Sequence, residues 1–467
     1  MPYFILVHTM DARGTVRIES FYLGCLAHAS YLIGSGGVAA VIDPQRDIAI
    51  YLDTAGRLGL RIGHVIETHL HADFVSGHLE LARKTGAPIY LGAGSGAQFP
   101  HIAVKDGDSI QFGNCRLDFL STPGHTIESI SILMNGAEAV FTGDTLFVGD
   151  VGRPDLSPDH TPQQLAALLY RSLHEKLLTL PDETVIYPAH GAGSLCGRQM
   201  GPERSSTIGR ERRFNYALQA KTSEEFVQLL TDHLPVRPEY FGREVELNRQ
   251  GAVALDALPE IPALSAGQVA QLQKDGAILV DTRSAQDFAT AHVPGSIHVA
   301  LTGQFASWAA RILGLDAPII IVGEDLEHVK ESRLRLARVG IENVKGYLED
   351  GVAGWIRAGL DLDYIPRLSA LDLHELLENE TDRITVLDVR EPAETAAGAI
   401  RGAINIPLGS LASRTNELDP SKLLVVHCKG GYRSSIAASL LRRAGFTDIA
   451  DLAGGYDAFK AAATADT

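Results

Sequence analysis

The chain has 467 residues, 41 of them basic and 57 acidic, which gives a formal net charge of −16 at pH 7. This charge argues against a nucleic-acid or anionic-membrane partner, because both attract local positive charge. The length predicts two to four domains, and no run of about 18 apolar residues is present to predict a membrane-spanning helix.

The N-terminal region begins with residues 1–8, which are predicted to be a strand because they lack the basic start and cleavage site of a signal peptide. The chain has only four cysteines, too few for a disulfide framework at this length, so a cytoplasmic location is expected. Residues 1–255 alternate short apolar strands, such as 130–133, with Gly-rich turns and helices, such as 162–178. Residues 237–259 carry turn residues and are predicted to be the edge of this domain.

Four motifs in this region place a histidine or an aspartate at the end of a strand-like segment. They are residues 68–74 (THLHADF), 122–125 (TPGH), 142–144 (TGD) and 187–190 (YPAH). Imidazoles and carboxylates on rigid supports are ligands that first-row transition metals use. His69, His125 and Asp144 form a plausible set of two imidazoles and one carboxylate, which leaves coordination positions open.

Other polar residues of these motifs are expected to orient the ligands or to serve as further donors: His71, Asp73 and His190. Histidines without such neighbours are expected to be structural or on the surface: His28, His64, His78 and His101. Three of the four cysteines are expected to be structural: Cys25 and Cys115 lie in apolar strand contexts, and Cys196 follows His190 by six residues, with a position near the metal as its less favoured alternative.

The order of these motifs resembles the metallo-β-lactamase fold, which implies an α/β domain, an αββα sandwich, for residues 1–255. In two-metal hydrolases of that superfamily a further histidine follows the aspartate of the first motif, but here that position is Phe74. A phenyl ring cannot bind a metal, so this difference favours a centre with one metal ion. Asp43 resembles an aspartate of the fold that supports the metal-binding loop.

A closer resemblance is to the persulfide dioxygenases. It rests on residues 69–77 (HLHADFVSG), 122–126 (TPGHT), 141–147 (FTGDTLF) and 149–156 (GDVGRPDL). In that family the matching residues bind iron, which implies one Fe(II) per chain on His69, His125 and Asp144. The resemblance also implies a glutathione or coenzyme A persulfide and dioxygen as substrates and sulfite as a product. Arg153 is expected to face a carboxylate of the thiol carrier, and Tyr187 to line the substrate site or to pack in the core.

The second half of the chain contains an internal repeat about one domain long. Residues 278–283 (ILVDTR) recur in looser register as 385–390 (TVLDVR). Each copy has the strand and helix order of a parallel α/β sheet. Two small α/β domains are therefore predicted, at residues 260–362 and 366–463.

The second copy carries Cys428 in the loop HCKGGYRS, residues 427–434, between a strand pattern and a helix predicted at 435–443. Backbone N–H groups and the dipole at the helix N-terminus favour a thiolate, as do the charges of Lys429 and Arg433. Two glycines, Gly430 and Gly431, allow the loop to curl into an anion-binding nest. A thiolate held in this way attacks sulfane sulfur and keeps it as a persulfide.

This loop resembles the C-x-x-G-x-R loop of the rhodanese family, and residues 388–390 (DVR) and 454–457 (GGYD) match other landmarks of that family. The resemblance implies a sulfurtransferase that acts through Cys428. The equivalent loop of the first copy, residues 322–327 (VGEDLE), has no cysteine and three acidic residues. The first copy is therefore predicted to be catalytically inactive and to space or pack the other domains.

The domain order is similar to fusions of persulfide dioxygenase with rhodanese in sulfide detoxification. The expected function is Fe(II)-dependent oxidation of a thiol persulfide to sulfite and thiol, with transfer of sulfur between persulfide, sulfite and thiosulfate at Cys428. One alternative is a glyoxalase II-like metallohydrolase fused to a sulfurtransferase. Another is a non-catalytic sulfur carrier or sensor with a vestigial metal domain. A homo-oligomer, a dimer or tetramer, is expected.

Overall fold

The computed structural model describes residues 3–8, 16–232, 234 and 236–465. The chain divides into two compact units. The first extends to Leu258 and also includes residues 337–340, and the second holds the rest of the chain from Pro259. Among the described residues no helix is both long and apolar enough to cross a membrane.

The first unit contains two sheets. Seven strands lie in sequence order in one sheet: β1 (Tyr3–His8), β2 (Arg17–Leu23), β3 (His28–Ser35), β4 (Val38–Ile42), β5 (Arg61–Ile66), β6 (Ile89–Gly92) and β7 (Ile102–Val104). The other has the order β13-β12-β11-β10-β9-β8: β8 (Ser109–Phe112), β9 (Cys115–Ser121), β10 (Ile130–Met134), β11 (Ala139–Gly143), β12 (Val185–Pro188) and β13 (Ser206–Thr207). The strand predicted at the start of the chain is confirmed as β1.

Six helices accompany these sheets: α1 (Ala49–Arg57), α2 (His78–Thr85), α3 (Pro162–Glu175), α4 (Ile208–Phe214), α5 (Ser223–Thr231) and α6 (Tyr240–Gln250). One apolar cluster lies between the two sheets, a second joins the first sheet to α1 and α2, and a third joins the other sheet to α3. Burial of these three apolar layers produces the predicted αββα sandwich. The helix predicted at 162–178 is confirmed as α3, which starts with a capping box between Thr161 and Gln164.

Helix α6 corrects the prediction for residues 237–259, which were expected to be only a domain edge. The buried side chains of α6 follow a helical period, but two of them, Glu244 and Asn248, are polar. A search for apolar periodicity therefore misses this helix. The first unit does end nearby, at Leu258.

The second unit contains two five-stranded parallel sheets with the same topology. The first has the order β14-β18-β17-β15-β16: β14 (Ala263–Leu264), β15 (Ile278–Asp281), β16 (Ile297–His298), β17 (Ile319–Val322) and β18 (Val344–Leu348). The second has the order β19-β23-β22-β20-β21: β19 (Arg367–Leu368), β20 (Ile384–Asp388), β21 (Ile404–Asn405), β22 (Leu423–His427) and β23 (Ile449–Leu452). The internal repeat is thus confirmed as a duplicated fold.

Helices α7 to α11 accompany the first of these sheets: Ala266–Lys274, Ala285–Thr290, Phe305–Leu313, Leu326–Arg338 and Gly351–Arg357. Helices α12 to α16 accompany the second: Ala370–Asn379, Pro392–Ala396, Leu411–Arg414, Tyr432–Arg443 and Gly455–Ala465. Five short 3-10 turns complete the described elements: Leu177–Thr179, Ala217–Gln219, Leu255–Ala257, Leu408–Ser410 and Thr415–Glu417.

Candidate functional site

The three predicted metal ligands meet at one edge of the sandwich. His69 follows β5, His125 lies between β9 and β10, and Asp144 directly follows β11. Their Nε2, Nε2 and Oδ2 atoms are buried and have no hydrogen-bond partner among the described residues. Asp144 Oδ2 lies 3.8 Å from His69 Nε2 and 3.3 Å from His125 Nε2. Three converging donor atoms without partners fit a metal ion, because such atoms are otherwise costly to bury.

The opposite nitrogen of the His69 ring is held by a chain of hydrogen bonds. His69 Nδ1 donates to Thr68 Oγ1 over 2.9 Å, and the Thr68 hydroxyl donates to Asp43 Oδ2 over 2.9 Å. The Thr68 N–H also donates to Asp43 Oδ1 over 2.7 Å. This chain places the proton on Nδ1 and leaves Nε2 with a lone pair for the metal.

His125 and Asp144 are oriented in the same manner. His125 Nδ1 donates to the carbonyl oxygen of Arg153 over 2.9 Å. His190 Nδ1 donates to Asp144 Oδ1 over 2.7 Å. Each ligand therefore commits one polar atom to the protein and presents the other to the centre, as in metal sites whose ligands are fixed by a second layer of residues.

The protonation states of this cluster agree with metal binding. Burial lowers the pKa of His69 and of His125, so both rings are neutral donors near pH 7. Burial alone would raise the pKa of Asp144, but His190, followed by His69 and His125, holds it well below its ordinary value. Burial opposes the protonation of His190, yet Asp144 and Asp73 raise its pKa well above the usual range. Asp144 is thus an anionic ligand supported by a cationic imidazole.

The backbone conformation and the close packing at Gly143 of the TGD motif require a glycine. Its φ of +53° lies in the left-handed region, and a Cβ atom there would lie 2.7 Å from the side chain of Thr68. A larger residue would therefore displace the threonine that orders His69.

The other predicted polar residues lie beside this centre. Donor atoms of His71, Asp73 and His190 lie within 4.8 Å of one another, and His71 Nε2 lies 3.3 Å from Asp43 Oδ1. The ring of Phe74 packs against His71, with centroids 4.4 Å apart. Apolar surface thus occupies the position where two-metal relatives have a further imidazole.

His28, predicted to be structural or on the surface, is a buried residue of this environment. It packs against Phe74 with ring centroids 4.0 Å apart and lies 5.6 Å from the ring of His190. Its position at the start of β3, far away in sequence, gave no signal of this contact.

Arg153 and Tyr187, the two residues predicted at the substrate site of the metal domain, both have partners within the protein. Arg153 is buried, and its guanidinium donates to both carboxylate oxygens of Asp155 over 2.6 and 2.8 Å. Tyr187 is buried and stacks on Phe141 with centroids 5.2 Å apart, inside the cluster between the sheets. The first residue supports the centre through its carbonyl oxygen, and the second fills the core. Cys196, for which the sequence favours a structural role away from the metal, lies beside Asp144 and His190, with donor atoms within 4.8 Å of one another, which corrects that prediction.

Asn248 on α6 is a site residue that the sequence patterns missed. Its side-chain amide donates to the carbonyl oxygens of His71 and Phe74, each over 2.8 Å. Its side-chain oxygen accepts from the N–H of Ser76 over 2.8 Å. One buried side chain thus fixes three backbone groups of the loop that carries His69.

The Cys428 loop connects β22 to α15 as predicted, but the helix begins earlier, at Tyr432. Cys428 is buried, and its Sγ atom accepts a hydrogen bond from the N–H of Gly431 over 3.1 Å. Gly431 has φ of +103°, which turns this N–H inward. Lys429 and Gly430 are exposed at the rim of the loop. The loop is therefore a cradle for an anionic sulfur at a helix N-terminus.

Two side chains of this loop have acidic partners. Arg433 forms a bidentate ion pair with Glu394, with N–O distances of 2.6 and 2.7 Å. Ser434 lies 3.8 Å from Cys428 Sγ and donates to Asp451 Oδ1 over 2.6 Å. Neither Glu394 nor Asp451 lies in a motif, so these contacts could not be read from the sequence.

Family comparisons agree with this arrangement. Residues 23–190 match the model of the metallo-beta-lactamase superfamily, and residues 265–358 and 369–462 each match the rhodanese-like domain. The mitochondrial persulfide dioxygenase ETHE1 of Bos taurus is 37% identical over 209 residues, which cover 43% of this chain and 75% of that protein. The chain belongs to the persulfide dioxygenase–rhodanese fusions. Such a fusion is an enzyme with oxidoreductase and sulfurtransferase activity and a metal cofactor.

Two further relatives frame this assignment. The crystal structure of a metallo-beta-lactamase from Staphylococcus aureus is 32% identical in sequence and has a TM-score of 0.65. The match covers 71% of this chain and 98% of the Staphylococcus aureus chain. The hydroxyacylglutathione hydrolase of Methylococcus capsulatus is 32% identical over 233 residues, which cover 49% of this chain and 86% of that protein. The similarity to the Staphylococcus aureus structure extends well beyond the N-terminal unit. The similarity to the hydrolase means that a hydrolytic reaction is the alternative to oxidation.

Proposed function

We propose that this enzyme oxidises a low-molecular-weight thiol persulfide with dioxygen at an Fe(II) centre formed by His69, His125 and Asp144. One persulfide, one dioxygen and one water give one thiol, one sulfite and two protons. The carrier thiol is glutathione or coenzyme A. The observation that carries this proposal is the convergence of three buried, unpartnered donor atoms, two imidazole nitrogens and one carboxylate oxygen.

The donor set supports iron. Two histidines and one carboxylate with open positions are the ligand set of non-haem Fe(II) oxygenases. Fe(II) held by these residues would bring a persulfide and dioxygen together and supply the redox chemistry of the reaction.

The residues of the chain prepare this centre. Thr68 and the Arg153 carbonyl keep the protons of the two imidazoles on Nδ1. His190 orients Asp144 and supplies a compensating positive charge. Phe74 and His28 add a packed wall beside the ligands, which limits the access of water.

At the second site we propose that Cys428 carries sulfane sulfur. The thiolate attacks the outer sulfur of thiosulfate, the sulfur–sulfur bond breaks, sulfite leaves with the electron pair, and a cysteine persulfide remains. A small thiolate then takes this sulfur and regenerates Cys428. The reverse direction converts persulfide and sulfite into thiosulfate and would consume the product of the metal centre. The Gly431 N–H aimed at Sγ supports this role.

Iron and zinc loading of the same protein test the proposal. Anaerobically loaded Fe(II) protein should consume oxygen with glutathione persulfide, and the zinc form should not. The His125→Ala variant, treated identically, controls for metal bound elsewhere. Oxygen uptake that is equal in the zinc form or in the variant would contradict an iron centre at these residues.

Hydrolysis of a glutathione thioester is the second candidate, favoured by the hydroxyacylglutathione hydrolase relatives. Phe74 opposes it, since the resemblance implies a histidine ligand of the second ion at that position in two-metal hydrolases, which leaves His71, Asp73 and His190 as a group with one donor fewer. Release of glutathione from S-lactoylglutathione by the zinc-loaded enzyme, without oxygen uptake by the iron form, would favour this candidate.

A further inference from the structure

The rhodanese copy without a cysteine contacts the helix that follows the Cys428 loop, within the second unit. The His298 N–H donates to Ser439 Oγ over 3.0 Å. The His298 ring nitrogen Nδ1 lies 3.0 Å from Ser435 Oγ. Both serines lie on α15, which starts at Tyr432, directly after the loop.

The hydrogen bonds of His298 define its tautomer. Its Nε2 lies 3.0 Å from the carbonyl oxygen of Arg283, which can only accept, so Nε2 carries the proton. Burial lowers the pKa of His298, so the ring is neutral and Nδ1 is an acceptor that faces Ser435 Oγ. The Ser435 hydroxyl has one proton, which Nδ1 shares with the Tyr432 carbonyl oxygen 2.9 Å away, at the first residue of α15. Phe288 stacks on the ring, with centroids 4.6 Å apart, and fixes its plane.

Tyr432 makes the second contact between the copies. Its hydroxyl donates to the carbonyl oxygen of Ala300 over 3.0 Å. Gly303, at φ of +64°, lies next to the Tyr432 ring, and a Cβ atom there would approach the ring to 3.3 Å. Tyr432 directly follows Gly431, whose N–H donates to Cys428 Sγ. We call His298, Ala300 and Gly303 the clamp. The clamp contacts Tyr432, and Tyr432 is the next residue after the one whose N–H faces the sulfur.

We propose that the copy without a cysteine is a working part of the sulfur-transfer site, and that His298 is a positioning residue for Cys428. The clamp holds the N-terminus of α15 so that the Gly431 N–H stays directed at Sγ and favours the thiolate. This inference rests on the proposed role of Cys428. It assigns to the inactive copy a specific task in the chemistry of its neighbour.

The test compares two histidine variants in the full-length protein. His298→Phe keeps a ring that stacks on Phe288 but loses both side-chain hydrogen bonds. His292→Phe is the matched control, because His292 is buried in the same copy, stacks on Phe288 at 3.9 Å and hydrogen-bonds to the Phe288 carbonyl oxygen. Its other nitrogen faces Asp363, which pairs with Arg442 at the end of α15 far from the Cys428 loop. Two measurements are needed: thiosulfate-to-thiol transfer, and the pH dependence of Cys428 alkylation by iodoacetamide, read by mass spectrometry.

His298→Phe should lower kcat/KM for transfer by about tenfold, the equivalent of one to two lost hydrogen bonds, and should shift Cys428 alkylation to higher pH. Oxygen uptake at the metal centre should not change. His292→Phe should match the wild type in both measurements. Tyr432→Phe, which removes only a hydroxyl, should shift alkylation in the same direction and serves if His298→Phe fails to fold.

Wild-type alkylation profiles in His298→Phe and Tyr432→Phe would overturn the inference, as would equal losses in His298→Phe and His292→Phe, which indicate packing alone. Sulfur transfer that persists in the Cys428→Ser variant would instead contradict the proposed function of Cys428, whatever the role of His298.

Discussion

His190 donates a hydrogen bond to Asp144 Oδ1 over 2.7 Å, and this contact leaves Oδ2 as the oxygen that faces His69 and His125. The same imidazole lies 3.1 Å from Asp73 through Nε2. His190 thus links Asp73 of the first motif to Asp144, which directly follows β11.

Replacing His190 should weaken metal binding. The His190→Phe variant removes the donor that orients Asp144, and loss of such a supporting contact typically costs about 10- to 100-fold in metal affinity. Competition with a chelator measures the dissociation constant for Fe(II). His174→Phe is the control, since the hydrogen bond and the ring contact of His174 are both with Tyr170 on α3. An unchanged affinity in His190→Phe would contradict the assigned role.

Single substitutions should inactivate the metal site and the Cys428 site independently. His125→Ala should lose bound iron and oxygen uptake and keep thiosulfate-to-thiol transfer, because Cys428 lies in another unit. Cys428→Ser should lose transfer and keep oxygen uptake with added persulfide. Iron analysis, an oxygen electrode and a transfer assay on each variant provide the comparison. Loss of both activities in either variant would mean that the sites depend on each other.

Asn248 should matter for both stability and metal binding. Asn248→Ala leaves the Ser76 N–H and the carbonyl groups of His71 and Phe74 without partners, at a cost of about 3 kcal/mol in unfolding free energy. The loop that carries His69 also loses its anchor, so Fe(II) affinity should fall. Leu165→Ala, a buried change on α3 of comparable cost, is the control. Equal Fe(II) affinities in the two variants would show that Asn248 contributes to stability and not specifically to metal binding.

The raised pKa of Asp451 predicts that the free energy of unfolding depends on pH. Burial raises its pKa from 3.8 to about 6, an effect that hydrogen bonds from Ser434 and Arg367 only partly offset. The folded protein therefore binds this proton more tightly than the unfolded chain does. The resulting stabilisation is complete below pH 3.8 and is lost as pH rises through 6, with an upper limit of about 3 kcal/mol.

Asp451→Asn cannot titrate, so its unfolding free energy should lack this decline between pH 4.5 and about 7. Urea unfolding followed by tryptophan fluorescence suits the test, because Trp308 and Trp355 both lie in the second unit. Asp457→Asn is a comparison at an exposed position nearby. Parallel pH profiles for wild type and Asp451→Asn would contradict the shift.

Local motifs predicted much of this molecule because the ligands follow regular strands within a few residues. His125 lies in the loop after β9, Asp144 directly follows β11, and Cys428 lies between a strand and a helix. The contacts that orient these groups are long-range, and no local pattern encodes them. Asn248 lies on a helix with polar buried positions, and His28 meets Phe74 only after the sandwich has formed.

The rhodanese copy without a cysteine shows the same limit of sequence patterns. Its missing cysteine is evident from the sequence, and so is its fold, since Asp281–Arg283 and Asp388–Arg390 form equivalent ion pairs with closest N–O distances of 2.6 Å. The contact of His298 with Ser435 depends on how the two copies pack, and no periodicity within either copy predicts it.

Oxygen consumption by anaerobically purified, Fe(II)-loaded enzyme with glutathione persulfide tests the central claim most directly, with sulfite and thiosulfate quantified in the same reaction. The account predicts uptake of one dioxygen for each sulfite formed, counted as free sulfite plus thiosulfate. No uptake with glutathione or coenzyme A persulfide, despite one iron bound per chain, would contradict it.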